Sequence, residues 1–301
     1  MSHTERGAPT IFPDPPAPGS VPAVTIGMPL YNEERFVGEA LGSLLTQTFT
    51  DFELIISDNA STDRTAEICR AVAAGDPRVQ YLRNESNIGA AANFNRLVDL
   101  ARGRYFMWAG GHDLWDRELI GRAACELGLQ PAAVVAGAEC AWIGVQGEPL
   151  ARRSGWTDTS GMSSVERLFT VLWGNMHPIL GLIRTDALRA TRGVQGCVGA
   201  DLILLSELAL RGDFVYVSGT RWYRREIRPQ ESYASMMSRY RSPEYRLALG
   251  SAAWFPLLSL GTRLFEVVWR SPLPLASRLA ICAALAGSLP ARYVGARLRR
   301  R

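Results

Sequence analysis

At 301 residues, with 47% hydrophobic and 21% charged residues, the chain has the composition of an ordinary globular protein, in one large domain or two small ones. Its net charge is +4 and all 33 basic residues are arginines, dispersed until the last ten positions; with no nucleic-acid-binding motif in sight, that argues against a nucleic-acid partner. Five isolated cysteines without a CxxC pair read as free thiols of a reducing, cytoplasmic compartment, not as a disulfide frame or a zinc site.

Residues 1–22 are rich in Pro, Ala and Gly and lack the apolar core of a secretory signal, so they read as a disordered leader. Val24 to Leu30 is an apolar, β-prone run and predicts a buried first strand. Glu33 to Thr46 predicts a helix, with Phe36, Val37, Ala40, Leu41, Leu44 and Leu45 on one face. Phe52 to Ser57 predicts a second strand that stops at Asp58-Asn59, and Thr62-Asp63 supply cap-type residues for a helix through Ala74. Val79 to Leu82 predicts a third strand. A helix follows from Asn87-Ile88-Gly89 to Ala101, then a fourth strand at Tyr105 to Trp108. Strand and helix alternate over residues 24–128 with short connections, which argues for a parallel sheet with right-handed crossovers. An eight-stranded α/β barrel is the weaker alternative, because the alternation decays after Leu129.

The later signals are mixed. Ala133 to Ala138 predicts a strand, Trp142 to Glu148 a turn, Ser163 to Trp173 a Ser-capped helix, Ile179 to Arg184 a strand, Asp201 to Arg211 a helix, and Phe214 to Val217 a strand. These are expected to supply edge strands and a second wall of a cleft. The organisation expected is one α/β domain over 23–230, in halves 23–128 and 129–230, followed by a tail over 231–301. Within the tail, Leu247 to Trp269 and Leu275 to Leu298 are apolar, interrupted by Pro256, Pro272, Pro274 and Pro290, and too short of uncharged residues to span a bilayer. Two readings stay open: amphipathic helices that hold the protein peripherally on an anionic membrane surface, at the inner face of the plasma membrane, through the Arg-rich end; or a helical hairpin packed on the catalytic domain or on a second copy in a homo-oligomer.

Three polar clusters fall at the ends of successive strands: Pro29-Leu30-Tyr31-Asn32-Glu33, Asp58-Asn59-Ala60-Ser61-Thr62-Asp63 and, after the break at Gly110-Gly111, His112-Asp113. One such cluster would be a helix cap. Three on one sheet edge converge on a crevice, where ligands of open α/β sheets bind. The arrangement suits a nucleotide, since an aspartate can accept from a pyrimidine N3–H and a divalent metal can bridge a diphosphate to a carboxylate. Neither GxGxxG nor GxxxxGK[ST] is present, which excludes the dinucleotide fingerprint and the ATPase loop.

The run Pro29–Ile68 (PLYNEERFVGEALGSLLTQTFTDFELIISDNASTDRTAEI), followed by Asn87–Trp115 (NIGAAANFNRLVDLARGRYFMWAGGHDLW), resembles the nucleotide-sugar half of the inverting family 2 glycosyltransferases of bacterial cell-envelope and exopolysaccharide synthesis. The resemblance is close over residues 22–128 and looser to about 228. It implies the GT-A fold: a Rossmann-like, mostly parallel sheet flanked by helices, here with a C-terminal helical extension. It implies a nucleotide-sugar donor, usually a UDP-sugar, and a glycan or lipid-linked acceptor. Carried over position by position, it places Pro29, Tyr31 and Glu33 beside the nucleoside, Asp58 (with its neighbour Asn59) on the base, and Arg83 and Asn87 along the nucleotide. Asp113 would be the metal-contacting end of the DxD-type motif.

The chain departs from the family at that motif. His112 stands where an aspartate is common, and Gly110 where an acidic residue is common. Imidazole ligates Mn²⁺ or Co²⁺ but suits Mg²⁺ poorly, so the expectation is a Mn or Mg ion held by His112, Asp113 and the diphosphate, or a weakened use of metal. Inverting transfer also needs a general base. The segment Gly199–Glu207 resembles the family's later element, in which an acidic residue opens a helix beneath the acceptor; Asp201 is the base it implies, with Glu207 the weaker candidate. Asn175, His177 and Arg184 are expected toward the acceptor, and Arg224, Arg225 and Arg228 as a loop closing over the diphosphate or as a solvated basic run. The processive QxxRW signature is absent, because Ser218 stands three residues before Arg221-Trp222, so transfer of a single sugar is expected. The competing class is a scaffold of the same fold that binds donor without turnover.

Overall fold

The computed structural model describes residues 21–154, 157–174, 178–197, 199–227, 235 and 256–298. Its organising element is a nine-stranded sheet in the order β3-β2-β1-β4-β8-β6-β9-β5, with β7 paired to β6. The strands are β1 Val24–Leu30, β2 Phe52–Asp58, β3 Val79–Arg83, β4 Tyr105–Trp108, β5 Leu114–Trp115, β6 Ala133–Ile143, β7 Pro149–Ser154, β8 Leu182–Arg184 and β9 Asp213–Arg225. β1 pairs in parallel with both β2 and β4, and β2 with β3. Beyond β4 the short β8 runs antiparallel, and the long β6–β9 ladder is again parallel. The sheet runs from β3 to β5 without closing, which sets aside the barrel. The central strands are buried on both faces, as the unbroken FELIISD run of β2 requires.

Helices cover both faces. Helix α1 (Val37–Leu45), α2 (Thr65–Gly75) and α4 (Leu119–Leu129) pack with alternate β1 residues Val24, Ile26, Met28 and Leu30 in one core. On the opposite face α3 (Ala90–Leu100), α6 (Thr185–Arg189) and α7 (Ala200–Ala209) pack on Ile55, Phe106, Trp108 and Phe214. A third core joins α5 (Ser164–Trp173) and α7 to the C-terminal helices α8 (Pro256–Trp269) and α9 (Leu275–Leu298) through Leu168, Ile203, Leu264, Val268, Ile281 and Leu285. One face of the tail hairpin therefore packs on the body. Among the described residues no helix is long and apolar enough to cross a membrane, and all five cysteines are free thiols.

The first four strands and the first three helices lie close to where the sequence places them, although α1 begins at Val37, after a turn, rather than at Glu33, and α3 at Ala90 rather than Asn87; β5 and α4 were not expected. The second half differs more. β6 continues to Ile143, so the turn shrinks to the residues closed by the Gly144 N–H donating to the Glu148 carbonyl at 2.7 Å. β9 runs to Arg225 instead of ending at Val217, because residues 218–220 are looped out as a bulge and pairing resumes at Arg221 opposite Glu139. The short α6 was not expected, β8 is shorter than expected, and α9 continues through Pro290. The Pro-rich leader up to residue 20 and the tail from 236 to 255 lie outside the described residues.

Candidate active site

Parallel pairing aligns the strand ends on which the site is built. Leu30 and Asp58 are register partners, as are Gly27 and Trp108. The loops beyond are stapled: Asn59 N–H donates to the Leu30 carbonyl at 2.8 Å, Thr62 N–H to Asn32 Oδ1 at 2.8 Å, and Glu33 N–H to Thr65 Oγ1 at 2.8 Å. Asn32 and Ala60 adopt left-handed backbone with φ of 55° and 63°. Non-glycine residues held there mark loops whose surroundings fix them, which is common at functional sites. The first and fourth strand ends meet directly: the His112 Nδ1 position lies 3.1 and 3.2 Å from the two Glu33 carboxylate oxygens. The close approach needs Gly111, where a Cβ would come within 2.5 Å of Leu30 Cδ2.

The corner so formed contains Glu33, His112 and Asp113. Asp113 is 2% exposed; its Oδ1 accepts the Arg225 N–H at 3.0 Å and lies 3.9 Å from His112 Nε2. A Cβ at Gly110 would sit 3.0 Å from Asp113 Oδ2, so an acidic side chain there would crowd the aspartate. Glycine at 110 and this Asp113 placement belong together. Burial raises the Asp113 carboxyl above the usual carboxylate range, outweighing the opposing pull of His112, the Arg225 N–H and Arg224. For His112, burial opposes the imidazolium, but the hydrogen bond to Glu33 and the charges of Asp113 and Glu33 outweigh it and hold the ring above its ordinary value.

Does this corner fit a divalent metal? Glu33 engages one ring nitrogen and leaves the other facing Asp113 Oδ1, the carboxylate–histidine–metal arrangement that orients an imidazole ligand. Among the described residues no group of three His, Cys, Asp or Glu side chains gathers as a metal site. The residues fit a two-ligand corner, His112 and Asp113, that a bound diphosphate would have to complete.

Asp58 is fully buried. It accepts from Ser61 N–H at 2.8 Å, Tyr81 Oη at 2.6 Å and Arg83 Nη1 at 3.0 Å. Arg83 also donates to the Ser61 carbonyl at 2.8 Å and is itself exposed to the crevice edge. Burial, and then the bond to Asp58, push the Tyr81 hydroxyl up to about 12. Asn59 joins a neighbouring amide network: its Oδ1 accepts from Asn84 Nδ2 and from Ile88 N–H, both at 2.9 Å, and its Nδ2 donates to Asn87 Oδ1 at 2.9 Å. Asn87 also turns the chain into α3 by accepting Gly89 N–H at 2.8 Å, while its own Nδ2 is buried with no partner among the described residues. Pro29 and Tyr31 stand half-buried on the same edge.

Arg225 corrects the sequence reading. It is not part of a closing loop or a solvated run, because the longer β9 carries it inside, opposite Ile143. Its guanidinium donates to the carbonyls of His112 and Val145, each at 3.0 Å, and to Glu39 at 2.7 Å, and it lies over the Phe36 ring. Arg224, facing the other way, stacks on Trp142 at 4.7 Å and adds positive charge near His112 and Asp113. Arg184 is likewise structural: it donates to the carbonyls of Ala133, Leu127 and Gln130 and closes the end of α4. Glu207 is taken up by Arg192, which donates from Nε at 2.7 Å and from its backbone at 2.8 Å. Asn175, His177 and Arg228 lie outside the described residues. Asp201 sits exposed in the first turn of α7, behind a left-handed Gly199 cap, so it is not the N-cap. Among the described residues no hydrogen bond or ion pair engages Asp201, and none ties it to the Glu33–His112–Asp113 corner.

A parallel α/β core with an acidic and imidazole corner at its carboxyl edge defines a class, the α/β proteins that take ligands in the crevice at that edge. Residues 25–175 match the family Glycosyl transferase family 2, half of the chain, and the chain belongs to that family. It is 34% identical over 92 residues, 31% of this chain and 36% of the relative, to WfgD of Escherichia coli, a UDP-Glc:α-D-GlcNAc-diphosphoundecaprenol β-1,3-glucosyltransferase. The chain spans about a third of the length of the curated relatives it matches. Its fold is similar to that of S. aureus TarS 1–349 in complex with UDP-GlcNAc, with a TM-score of 0.66 at 19% identity, over 87% of this chain and 71% of TarS 1–349. It is also similar to the mannosyltransferase PcManGT of Pyrobaculum calidifontis in complex with GDP-Man and Mn²⁺, with a TM-score of 0.52 at 20% identity, over 95% and 83% of the two chains.

Proposed function

We propose that this chain is a non-processive, inverting glycosyltransferase that moves one sugar from a UDP-sugar to a glycan or lipid-linked acceptor in envelope polysaccharide synthesis. The observation that carries the reading is the Glu33–His112–Asp113 corner, set beside Asp58 and Arg83 on one sheet edge. Family membership supports transfer chemistry, and the donors named for WfgD and TarS support uridine. Asp58 spends three of a carboxylate's roughly four acceptor positions on the protein; the fourth is assigned to a uracil N–H, with Arg83 next to it on the base edge. Pro29, Tyr31 and Glu33 flank the nucleoside, with Asn87 along the nucleotide.

A divalent ion, Mn²⁺ in preference to Mg²⁺ given the imidazole, would be held by His112 and Asp113 and would offset charge on the departing diphosphate. Asp201 takes the proton of the acceptor hydroxyl as its oxygen bonds to the anomeric carbon and the bond from that carbon to the diphosphate breaks. Isothermal titration with UDP- and dTDP-sugars, with and without Mn²⁺, should show saturable donor binding. Its absence under every condition overturns the assignment.

The absence of an acidic side chain at Gly110, where a Cβ would press on Asp113 Oδ2 at 3.0 Å, favours one second reading, a donor-binding scaffold without turnover. Slow donor hydrolysis separates the two. The enzyme should hydrolyse donor and its Asp201→Asn variant should not, whereas a scaffold shows no hydrolysis in either protein.

A further inference from the structure

The α8–α9 hairpin has two unlike faces. Leu264, Val267, Val268, Ile281 and Leu285 are buried against α5 and α7, while Trp269, Leu275 and Leu279 are 54%, 58% and 54% exposed. Leu275 and Leu279 lie one turn apart on α9 and so share a face. Arg278 joins them to the end of α8, donating to the Trp269 carbonyl at 3.0 Å and the Leu273 carbonyl at 2.7 Å. Large apolar side chains exposed on one hairpin mark an interaction site.

Charge selects the occupant. Glu266 is the last acidic residue of the sequence; from Val267 onward the chain carries Arg270, Arg278, Arg292, Arg297 and Arg299-Arg300-Arg301 and no carboxylate side chain. A second copy presenting the same face would set cation against cation. An anionic headgroup layer is the complement: it attracts arginines and accepts an indole and leucines at the boundary between headgroups and acyl chains. Neither helix is built to cross a bilayer, so the hairpin would lie on it.

We propose that the exposed face of the α8–α9 hairpin docks on the surface of an anionic bilayer, with Trp269, Leu275 and Leu279 inserted and Arg270 and Arg278 at the headgroups. The test is co-sedimentation of the full chain with vesicles of phosphatidylglycerol and phosphatidylcholine in equal parts, against vesicles of phosphatidylcholine alone. Binding should require the anionic lipid and fall with added salt. It should weaken about fivefold in Arg270→Gln, the scale of one basic residue at such a surface, and at least about tenfold in a Trp269→Ser/Leu275→Ser/Leu279→Ser variant. Because these side chains are exposed, that variant should melt with the parent, which separates lost docking from lost folding. Equal binding to both lipids, or undiminished binding of the triple variant, overturns the proposal. So does light scattering that shows a dimer, dispersed by the triple variant, in a protein indifferent to vesicles. The measurement uses no sugar donor, so its outcome is independent of the transferase reading.

Discussion

At the scale of single residues, the two adjacent arginines that end β9 do opposite jobs. Arg225 is 4% exposed; truncating it to Ala strips the partners from the His112 and Val145 carbonyls and leaves a void over Phe36. Partly buried acceptors left unpaired cost about 1 kcal/mol each, and the void over Phe36 adds to that, so Arg225→Ala is expected to lose about 3 kcal/mol of stability by denaturant titration. Donor binding should fall with it, since the backbone that aims Asp113 would shift. Arg224→Ala removes a cation stacked on Trp142, worth about 1 kcal/mol at most in stability, and should cut donor affinity while the fold persists. Equal stability losses in the two variants would contradict this division. Glu33, His112, Asp58 and Asp113 are legible in the sequence because each follows a strand end, and strand ends share an edge. Arg225 is not, because Glu39 lies 186 positions away and nothing local separates a buried arginine from a solvated one.

At the scale of elements, the first half is legible because its strands are continuous apolar runs divided by periodic helices. The second half hides its longest ladder. Ser218-Gly219 looks like a strand end, yet it is a bulge, with Gly219 at a φ of 71°, after which β9 resumes for five more residues. No local pattern announces that, since the pairing partner is β6, some 80 residues earlier. The loops around the crevice depend on a smaller device, Asp63, which accepts the Thr65 N–H at 3.0 Å and the Glu34 N–H at 3.1 Å and so ties the turn before α1 to the start of α2. Burial would raise its carboxyl, but these bonds and that of the Thr65 side chain outweigh it and hold the group below its ordinary 3.8. A carboxyl depressed in the folded state contributes stability that is present above its unfolded value and lost as pH falls through the folded one. The wild type should therefore lose more thermal stability between pH 5 and pH 3 (about one unit either side of an ordinary carboxyl) than Asp63→Asn, which starts lower and varies less. Parallel melting curves for the two proteins across that window would show that Asp63 does not carry the effect.

At the scale of the whole molecule, the tail is fastened to the transferase body by one arginine as well as by its apolar face. Arg192, in the loop before α7, pairs with Glu207 of α7 at 2.7 Å and with Glu266 of α8 at 2.8 Å. The burial of Glu207 makes that junction sensitive. Removing one partner of a buried pair leaves an uncompensated charge, at a cost of about 3 kcal/mol or more, whereas Glu266 is partly solvated and retains Arg270. In Arg192→Ala the penalty therefore falls on α7, and the third core, which α7 shares with α8 and α9, should loosen. Hydrogen exchange would be expected to quicken in α7, α8 and α9 together, while β1, whose buried side chains lie in a core that α7 does not enter, keeps its protection. Leu275→Ser, on the exposed face, should leave exchange in all of these elements unchanged. The two variants thus distinguish the side of the hairpin that holds it to the body from the side that faces outward. If Arg192→Ala quickened exchange in β1 as much as in α8 and α9, the hairpin would belong to the same cooperative unit as the sheet. The hairpin could then not move without the crevice edge moving too.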